Sequence, residues 1–158
     1  MIYNEMCMSL LSVCIRTHNQ ERFIGEALDS VLGQKTLFPF EVIVSDDASS
    51  DGTIAILKEY QANNPDKIRL LLSDTNLGGP RNLKRVIEAS NAQYITCLDG
   101  DDFYTDEYKL QKQVDFLENH LEYVACFHNT WFVDAAGNKL GLFNKPNFHS
   151  IHDAHEFI

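Results

Sequence analysis

The sequence predicts an α/β fold in which helices cover both faces of a mostly parallel sheet. Three observations lead to this prediction. Short apolar runs alternate along the chain with longer segments whose apolar residues recur at helical spacing. The short runs are continuously apolar, as is typical of strands that are buried on both faces. With 158 residues, 44% of them hydrophobic, the chain is long enough for one domain with a buried core.

Two strand–helix pairs are predicted in the first part of the chain. The apolar run Leu10–Ile15 indicates a strand, and Gln20–Leu32 indicates a helix because its apolar residues fall on one helical face. Phe40–Val44 is rich in β-branched residues and indicates the second strand. The second helix is expected to begin at an N-cap formed by Asp51 and to run to about Asn63.

Two further pairs follow. Ile68–Leu72 and Tyr94–Leu98 indicate the third and fourth strands, and Gly78–Pro80 opens the helix between them. Asp106–Asn119 indicates a fourth helix with one apolar face. With right-handed crossovers, these elements form a doubly wound, Rossmann-like sheet.

The last part of the chain predicts a hairpin. A fifth strand is expected over Tyr123–Val133, followed by a turn at residues 136–138 and a partner strand at Lys139–Phe143. A further helix is expected to start at Asp153–Ile158. The aromatic residues of the fifth strand are expected in the core, namely Phe127, Trp131 and Phe132.

The charge balance restricts the partners of the chain. Thirteen Lys and Arg residues oppose 23 Asp and Glu residues, which gives a net charge of −10. Such a surface repels nucleic acid, although a divalent cation could bridge its carboxylates to a phosphate ligand. No apolar run reaches the roughly 18 residues of a membrane span. The cysteines are interpreted as free, buried thiols of a reducing compartment, and they are Cys7, Cys14, Cys97 and Cys126.

Polar residues follow the ends of the predicted strands. In doubly wound sheets, ligands bind outside the carboxyl ends of the strands, near the point where the strand order reverses. The site is therefore expected at this edge of the sheet. The polar segments that follow the first four strands are Arg16–Asn19, Ser45–Asp51, Ser73–Gly78 and Asp99–Asp102.

The segment Asp99–Asp102 is the most specific of the four. Its three carboxylates, within four residues, repel one another unless a cation compensates them. Oxygen ligands without neighbouring Cys or His suit Mg²⁺ or Mn²⁺, usually together with substrate phosphates. Gly100 would let the backbone approach a ligand closely. An acidic surface turn before the next helix is the alternative that stays open.

Two other segments favour a nucleotide ligand. Asp46 and Asp47 precede the expected helix cap and can accept hydrogen bonds from a base or a ribose, although this segment could also serve capping alone. Residues 76–82 place glycines and Arg81 at a helix N-terminus, which attracts anions. That second signal is weak by itself, because glycines there can simply shape a turn.

Taken together and in order, these residues resemble the family 2 glycosyltransferases with the GT-A fold. The resemblance covers about residue 10 to about residue 120. Three positions depart from the common pattern: Arg16 stands where a small residue or proline is more usual, His18 where an aromatic residue is common, and Ala48 where glycine is frequent. The pieces that carry the resemblance are Leu11–Asn19, Glu41–Thr53, Asn76–Asn82 and Tyr94–Asp102.

The resemblance implies transfer of a sugar from a nucleoside diphosphate sugar, with inversion at the anomeric carbon. It places Thr17 and Asp47 at the nucleobase and Asp99 near the ribose. Asp101 would hold the divalent metal, Mn²⁺ or Mg²⁺, and Asp99 and Asp102 are further candidate ligands. The nucleotide-binding candidates are Arg16, Thr17, Asn19, Asp46, Asp47, Arg81 and Asp99.

The resemblance also implies a general base that deprotonates the acceptor hydroxyl. In the family this base lies on a later segment, so it is expected beyond Ile158 and no catalytic residue is assigned. Residues 1–158 are expected to form one nucleotide-sugar-binding domain that ends before the acceptor segment, and transfer by this chain alone stays open. Bacterial polysaccharides or lipid-linked glycan precursors are the implied acceptors. They imply a cytoplasmic location and allow peripheral association with the inner face of the membrane.

Two other functions stay open beside the glycosyltransferase. A non-catalytic module could bind the nucleotide and pass it to a partner. A Mg²⁺-dependent phosphatase of the haloacid dehalogenase type also has two aspartates, one residue apart, after a parallel strand. In that class the motif normally follows the first strand, whereas here it follows the fourth.

Overall fold

The computed structural model describes residues 9–134 and 137–143. The chain divides into two compact units, one up to Gln111 and the other from Lys112. The predictions that concern Cys7, Ala136 and the helix at Asp153–Ile158 lie outside the described residues.

The first unit is built on a four-stranded, wholly parallel sheet in the order β3-β2-β1-β4. Each of the first four predicted apolar runs forms a strand, which confirms the predicted fold class. The two central strands, β1 and β2, are buried along nearly their whole length, as expected when helices cover both faces. The strands are β1 (Leu11–Thr17), β2 (Phe40–Asp46), β3 (Ile68–Leu72) and β4 (Tyr94–Asp99).

Helices cover both faces of this sheet. The chain runs from β1 outward to β3 and then returns past β1 to β4, so the strand order reverses between β1 and β4. Right-handed crossovers therefore place the first two helices on one face and the third on the other. None of the helices in the described ranges is long and apolar enough to cross a bilayer. The helices are α1 (Ile24–Leu32), α2 (Thr53–Asn63), α3 (Gly79–Glu88) and α4 (Lys109–Asn119).

The core of the first unit lies between the sheet and α1, α2 and α3. On the α3 face, Cys14 and Ile43 pack with Val86, and the Cys14 Sγ donates to the Val86 carbonyl oxygen at 3.5 Å. Burial raises the pKa of Cys14 to about 12, so this thiol is protonated at neutral pH. Successive side chains of a strand point to opposite faces, and the neighbours Val13 and Ile15 are fully buried on the other side.

Two helices begin later than predicted. α1 starts at Ile24 rather than Gln20, because the Gln20 carbonyl oxygen closes a turn by accepting from the amides of Phe23 and Ile24 at 3.0 and 2.9 Å. α4 starts at Lys109 rather than Asp106, whose carbonyl oxygen accepts from the Lys109 amide at 3.1 Å. Both shifts arise because a tight turn precedes the first full helical turn.

Two smaller predictions are also corrected. The N-cap position of α2 is Gly52 rather than Asp51, although the Asp51 carboxylate does accept from the Thr53 amide at 3.0 Å. Cys14 is buried as predicted, but Cys97 is exposed because it lies on β4, an edge strand of the described sheet. Cys14 and Cys97 are free thiols, as predicted, whereas Cys126 is only partly buried.

The described hairpin of the second unit pairs β5 (Trp131–Val133) with β6 (Lys139–Leu142) in antiparallel register. The predicted strand over Tyr123–Val133 is therefore wrong except for its last three residues, because residues 123–130 belong to no described strand. The predicted burial of its aromatic residues is also wrong, since none of residues 123–134 and 137–143 is buried. The exposed fractions are 88% for Phe127, 44% for Trp131 and 53% for Phe132.

Candidate functional site

The polar segments meet at the carboxyl edge of the sheet, as predicted. Backbone pairing continues one residue past the strands: the Asp47 amide donates to the Thr17 carbonyl oxygen at 3.0 Å, and the Gly100 amide donates to the Arg16 carbonyl oxygen at 3.0 Å. On the other side of β2, the Ser73 amide donates to the Asp46 carbonyl oxygen at 3.1 Å. The segments after all four strands are thus fixed side by side, with the order reversal between β1 and β4 at their centre.

Arg16 and Asp99 form an ion pair at this reversal. They are register partners on β1 and β4, so their side chains leave the sheet on the same face. The Arg16 Nε donates to Asp99 Oδ1, and the Arg16 Nη2 donates to Asp99 Oδ2 at 2.8 Å. This pairing raises the pKa of Arg16, mainly through the hydrogen bond to Asp99. Both side chains are partly exposed, at 35% and 43%.

Gly100 follows Asp99 and is packed against the protein itself. A Cβ at this position would lie 2.5 Å from Gln20 Oε1 and 3.0 Å from both Thr17 Cβ and Ile24 Cδ1. The sequence assigned this glycine to a ligand, but the close approach is to β1 and the residues that follow it. Beside it, the buried Thr17 Oγ1 and Gln20 Oε1 have no hydrogen-bond partner among the described residues. Buried polar atoms usually have a partner, so these two are unsatisfied groups at the edge of the site.

Asp47 is buried and holds the loop that follows β3. Its side chain is 2% exposed and accepts from the Leu77 amide at 2.7 Å and from the Gly78 amide at 2.9 Å. A carboxylate has about four acceptor positions, so Asp47 retains capacity for a base N–H. The structure thus adds a loop-fixing contact to the residue that the sequence proposed for the nucleobase.

Asp46 is fully buried and closes its own turn. Its carboxylate accepts from the Ser49 amide at 2.9 Å and from the Ser49 hydroxyl. The turn requires Ala48 to adopt φ 61°, in the left-handed region that glycine favours. This explains in physical terms why glycine suits the position. Asp46 is therefore part of the loop framework.

A polar network links the loops after β1, β2 and β3. Asn19 Oδ1 accepts from the Ser50 amide at 2.8 Å, and Asn19 Nδ2 lies 3.1 Å from His18 Nε2. The same ring nitrogen lies 3.2 Å from Asn76 Nδ2, and Asn76 Oδ1 accepts from the Gly78 amide at 2.9 Å. The described contacts of Asn19, a nucleotide-binding candidate, join two loops and involve the His18 ring.

The N-terminus of α3 is fixed beside β2 by Asn82, to which the sequence pattern assigned no role of its own. Asn82 is 2% exposed; it accepts from the Ser45 hydroxyl at 2.5 Å and donates to the Ser45 carbonyl oxygen at 2.9 Å. A polar residue on the inward face of an amphipathic helix is the signal that could have identified it. Arg81, one residue earlier, is exposed at the start of the helix.

Asp101 and Asp102 are exposed at the turn after β4. Partial desolvation raises the pKa of Asp102, and the charges of Asp101 and Asp99 raise it further. The carboxylates therefore repel one another, as the sequence indicated. Among the described residues, no group of three His, Cys, Asp or Glu side chains is arranged to hold a metal. Two exposed carboxylates together with ligand phosphates nevertheless form the kind of donor set that Mg²⁺ takes, so these residues fit a cation that arrives with a phosphate ligand.

Comparison with known proteins agrees with this arrangement. The profile of the family described as Glycosyl transferase family 2 matches residues 12–151. An uncharacterized protein of Mycobacterium tuberculosis (strain ATCC 25618 / H37Rv) is 46% identical over 132 residues, which cover 84% of this chain and 37% of that protein. The putative glycosyltransferase EpsE of Bacillus subtilis (strain 168) is 38% identical over 113 residues, or 72% of this chain and 40% of EpsE. The matched part thus spans about two fifths of these relatives.

Solved structures show the same fold. Residues 1–349 of Staphylococcus aureus TarS in complex with UDP superpose with a TM-score of 0.62 at 30% identity, covering 70% of this chain and 32% of that one. A complex of the same protein with UDP-GlcNAc gives the same values. A Pyrobaculum calidifontis mannosyltransferase, PcManGT, in complex with GDP-Man and Mn²⁺ has a TM-score of 0.63 at 24% identity, covering 71% and 33%, and it supports the fold alone. The fold of this chain is that of the GT-A glycosyltransferases.

Proposed function

The chain belongs to glycosyl transferase family 2, and on that premise we propose that it forms the donor-binding part of a metal-dependent, inverting glycosyltransferase. One observation carries the proposal: the carboxyl edge of the sheet brings Thr17, Asp47 and the 99–102 turn together where the strand order reverses. That is the place where doubly wound sheets bind nucleotides.

The proposed donor is a nucleoside diphosphate sugar. The unsatisfied hydroxyl of Thr17 and the spare acceptor positions of Asp47 would recognise the base. Asp46 and Asn19 would act by fixing the loops around it. Arg81, exposed at the N-terminus of α3, would lie near the phosphates. The TarS structures hold UDP or UDP-GlcNAc, which makes a uridine nucleotide the first donor to test.

The carboxylates of the 99–102 turn would hold Mn²⁺ or Mg²⁺ together with the diphosphate. The set proposed from the sequence is Asp101 with Asp99 and Asp102. When bound, the cation would offset the negative charge that develops on the departing diphosphate. Asp101 and Asp102 are exposed and can reach such a ligand without rearranging the core.

The acceptor side of the reaction is proposed from the family resemblance alone. An inverting transfer needs a general base on the face of the sugar opposite to the leaving group. The acceptor would be a glycan or a lipid-linked precursor, handled at the cytoplasmic face of the membrane. In the phosphatase alternative the first aspartate of the motif is the nucleophile, whereas here both oxygens of Asp99 bond to Arg16. The geometry therefore favours sugar transfer over phosphate hydrolysis.

Calorimetric titration tests the proposed donor site. The chain is titrated with UDP, GDP and dTDP, each with Mn²⁺ and with a chelator. We expect one of the three to bind, and to bind more tightly with Mn²⁺. A non-catalytic module that only binds the nucleotide would give the same titration results. A sugar-transfer assay with the preferred donor distinguishes it from a glycosyltransferase, because only the enzyme transfers the sugar. If none of the nucleotides binds under either condition, the donor-site proposal is wrong for this chain.

A further inference from the structure

The ion pair between Arg16 and Asp99 is the feature of the site that the family resemblance leaves unexplained. Arg16 stands where a small residue or proline is more usual, and Asp99 is a candidate ligand of both the ribose and the metal. The arginine is thus an addition to the common pattern, placed directly on one of the three carboxylates of the turn. Such a placement changes which of them are available to a cation.

The guanidinium engages both oxygens of Asp99. Nε and Nη2 each bond to a different carboxylate oxygen, in the bidentate arrangement that is the strongest between these groups. The remaining nitrogen, Nη1, lies 3.5 Å from the position that a Cβ on Gly79 would take, at the first residue of α3. The guanidinium therefore extends from the end of β4 to the N-terminus of α3.

A divalent cation at Asp99 would have to share the carboxylate with this arginine or displace it. In both cases it would lie close to a fixed positive charge, which repels it. The Arg16 guanidinium remains charged at every ordinary pH, so it cannot be removed by deprotonation. Asp101 and Asp102 have no side-chain hydrogen bond to any described residue and no such competitor.

We propose that Arg16 is a built-in counter-cation of Asp99, which leaves Asp101 and Asp102 to hold the divalent cation and adds the arginine's own charge to the diphosphate site. This assignment rests on the proposed function, because it concerns the same donor site. It makes nucleotide binding partly independent of metal, since one positive charge is supplied by the protein itself.

Removing the arginine should change two affinities in opposite directions. In Arg16→Met, Asp99 is freed and a repelling charge is lost, so Mn²⁺ alone should bind about tenfold more tightly. UDP in the presence of a chelator should bind about tenfold more weakly, because the positive charge near its diphosphate is gone. If the arginine only stabilised the fold, its removal would weaken the binding of both Mn²⁺ and UDP. Arg16→Lys keeps the charge but loses the bidentate geometry. Its affinities for Mn²⁺ and UDP should therefore lie between those of the parent and those of Arg16→Met.

A charge-neutral double variant tests whether Asp99 is a ligand. Arg16→Met combined with Asp99→Asn removes the pair without changing the net charge. We expect its Mn²⁺ affinity, measured by electron paramagnetic resonance titration of the metal alone, to stay within about twofold of the parent. Asp101→Asn should lose about tenfold in the same titration. Lys58→Met, an exposed residue of α2, is the control for removal of one positive charge elsewhere.

Each outcome decides the assignment. If the double variant loses Mn²⁺ as severely as Asp101→Asn, then Asp99 is a ligand and the proposal is overturned. An unchanged Mn²⁺ affinity in Arg16→Met, or no Mn²⁺ binding by any of the proteins, overturns it as well. If UDP binds to none of them while the metal affinities change as expected, the proposed donor fails and the assignment of Arg16 stands. Thermal melting of each variant confirms that it is folded.

Discussion

Two acidic turns lie at the same edge of the same sheet and differ in almost every physical respect. Asp46 and Asp47, after β2, are buried and accept hydrogen bonds from the amides of their own and the neighbouring loop. Asp101 and Asp102, after β4, are exposed, and the pKa of Asp102 is raised by partial desolvation and by its acidic neighbours. The first pair forms the framework of the loops. The second pair forms no ion pair with any described residue.

The residue type alone therefore does not determine the role of an aspartate at a strand end. A carboxylate whose oxygens meet backbone amides is satisfied and rigid, and removing it leaves buried donors without acceptors. A carboxylate that faces solvent beside like charges is available to a cation. Substitutions in the first pair should therefore reduce stability, whereas those in the second pair should reduce ligand binding and leave the fold intact.

The largest effect is expected from Asp47→Ala. This change removes the acceptor of the Leu77 amide and one of the two acceptors of the Gly78 amide, and it should lower the free energy of unfolding by about 3 kcal/mol. Urea denaturation measures it, with the exposed Asp74→Ala as the matched control that should change stability by less than about 0.5 kcal/mol. Equal stabilities of the two variants would contradict a framework role for Asp47.

Asp101→Asn should show the opposite behaviour. The unfolding free energy should stay within about 0.5 kcal/mol of the parent, because the side chain is exposed at a turn. The Mn²⁺-dependent part of nucleotide affinity should fall about tenfold or more, as a ligand is lost. Denaturation and calorimetry on the same preparation give both values. A variant that is destabilised but binds normally would reverse the assignment of the two turns.

A smaller effect is expected at the turn after β2. Ala48 adopts φ 61°, which costs an L-residue about 1 kcal/mol relative to glycine. Ala48→Gly should therefore raise the unfolding free energy by a few tenths to about 1 kcal/mol, the gain being reduced by the greater freedom of glycine in the unfolded chain. Gly141→Ala is the comparison at a glycine without positive φ, where an added Cβ would meet no atom within 4 Å. A loss of stability in Ala48→Gly would show that the left-handed turn is not the native conformation.

The smallest effect concerns pH. Because the pKa of Asp102 is raised in the folded chain, its ionisation opposes folding, and its contribution to stability falls as pH rises from the ordinary aspartate value to the raised one. Asp102→Asn should therefore melt at a slightly higher temperature than the parent at pH 7 and at the same temperature near pH 3. Melting curves at the two values measure the difference. If Asp102→Asn gained more in melting temperature at pH 3 than at pH 7, that result would contradict the raised pKa of Asp102.

The sequence predicted the sheet well because buried strands are short, continuous apolar runs, and four of them appear at regular spacing. It also predicted that the polar segments after β1, β2 and β4 meet at the carboxyl edge of the sheet, where they do lie side by side. The fifth strand was predicted too long because Tyr123–Val133 is apolar and aromatic, and strand formation depends on a partner that local composition does not reveal.

Individual roles in the site were harder to predict, since they depend on contacts between distant parts of the chain. The pairing of Arg16 with Asp99 requires the β1–β4 register, which no local pattern gives. Gly100 was predicted to let a ligand approach the backbone. Its close neighbour is instead Thr17, a contact that appears only in three dimensions. The anchoring of α3 by Asn82 was overlooked for the same reason, because its partner Ser45 is 37 residues away.

A crystal structure of the chain with UDP and Mn²⁺ would show whether the donor binds at this edge of the sheet. We expect the base beside Thr17 and Asp47, the diphosphate outside the carboxyl ends of β1 and β4, and the Mn²⁺ between the diphosphate and Asp101. A nucleotide that binds elsewhere on the protein, or a Mn²⁺ ion that bypasses the 99–102 turn, would contradict the assignment of this edge of the sheet as the donor site.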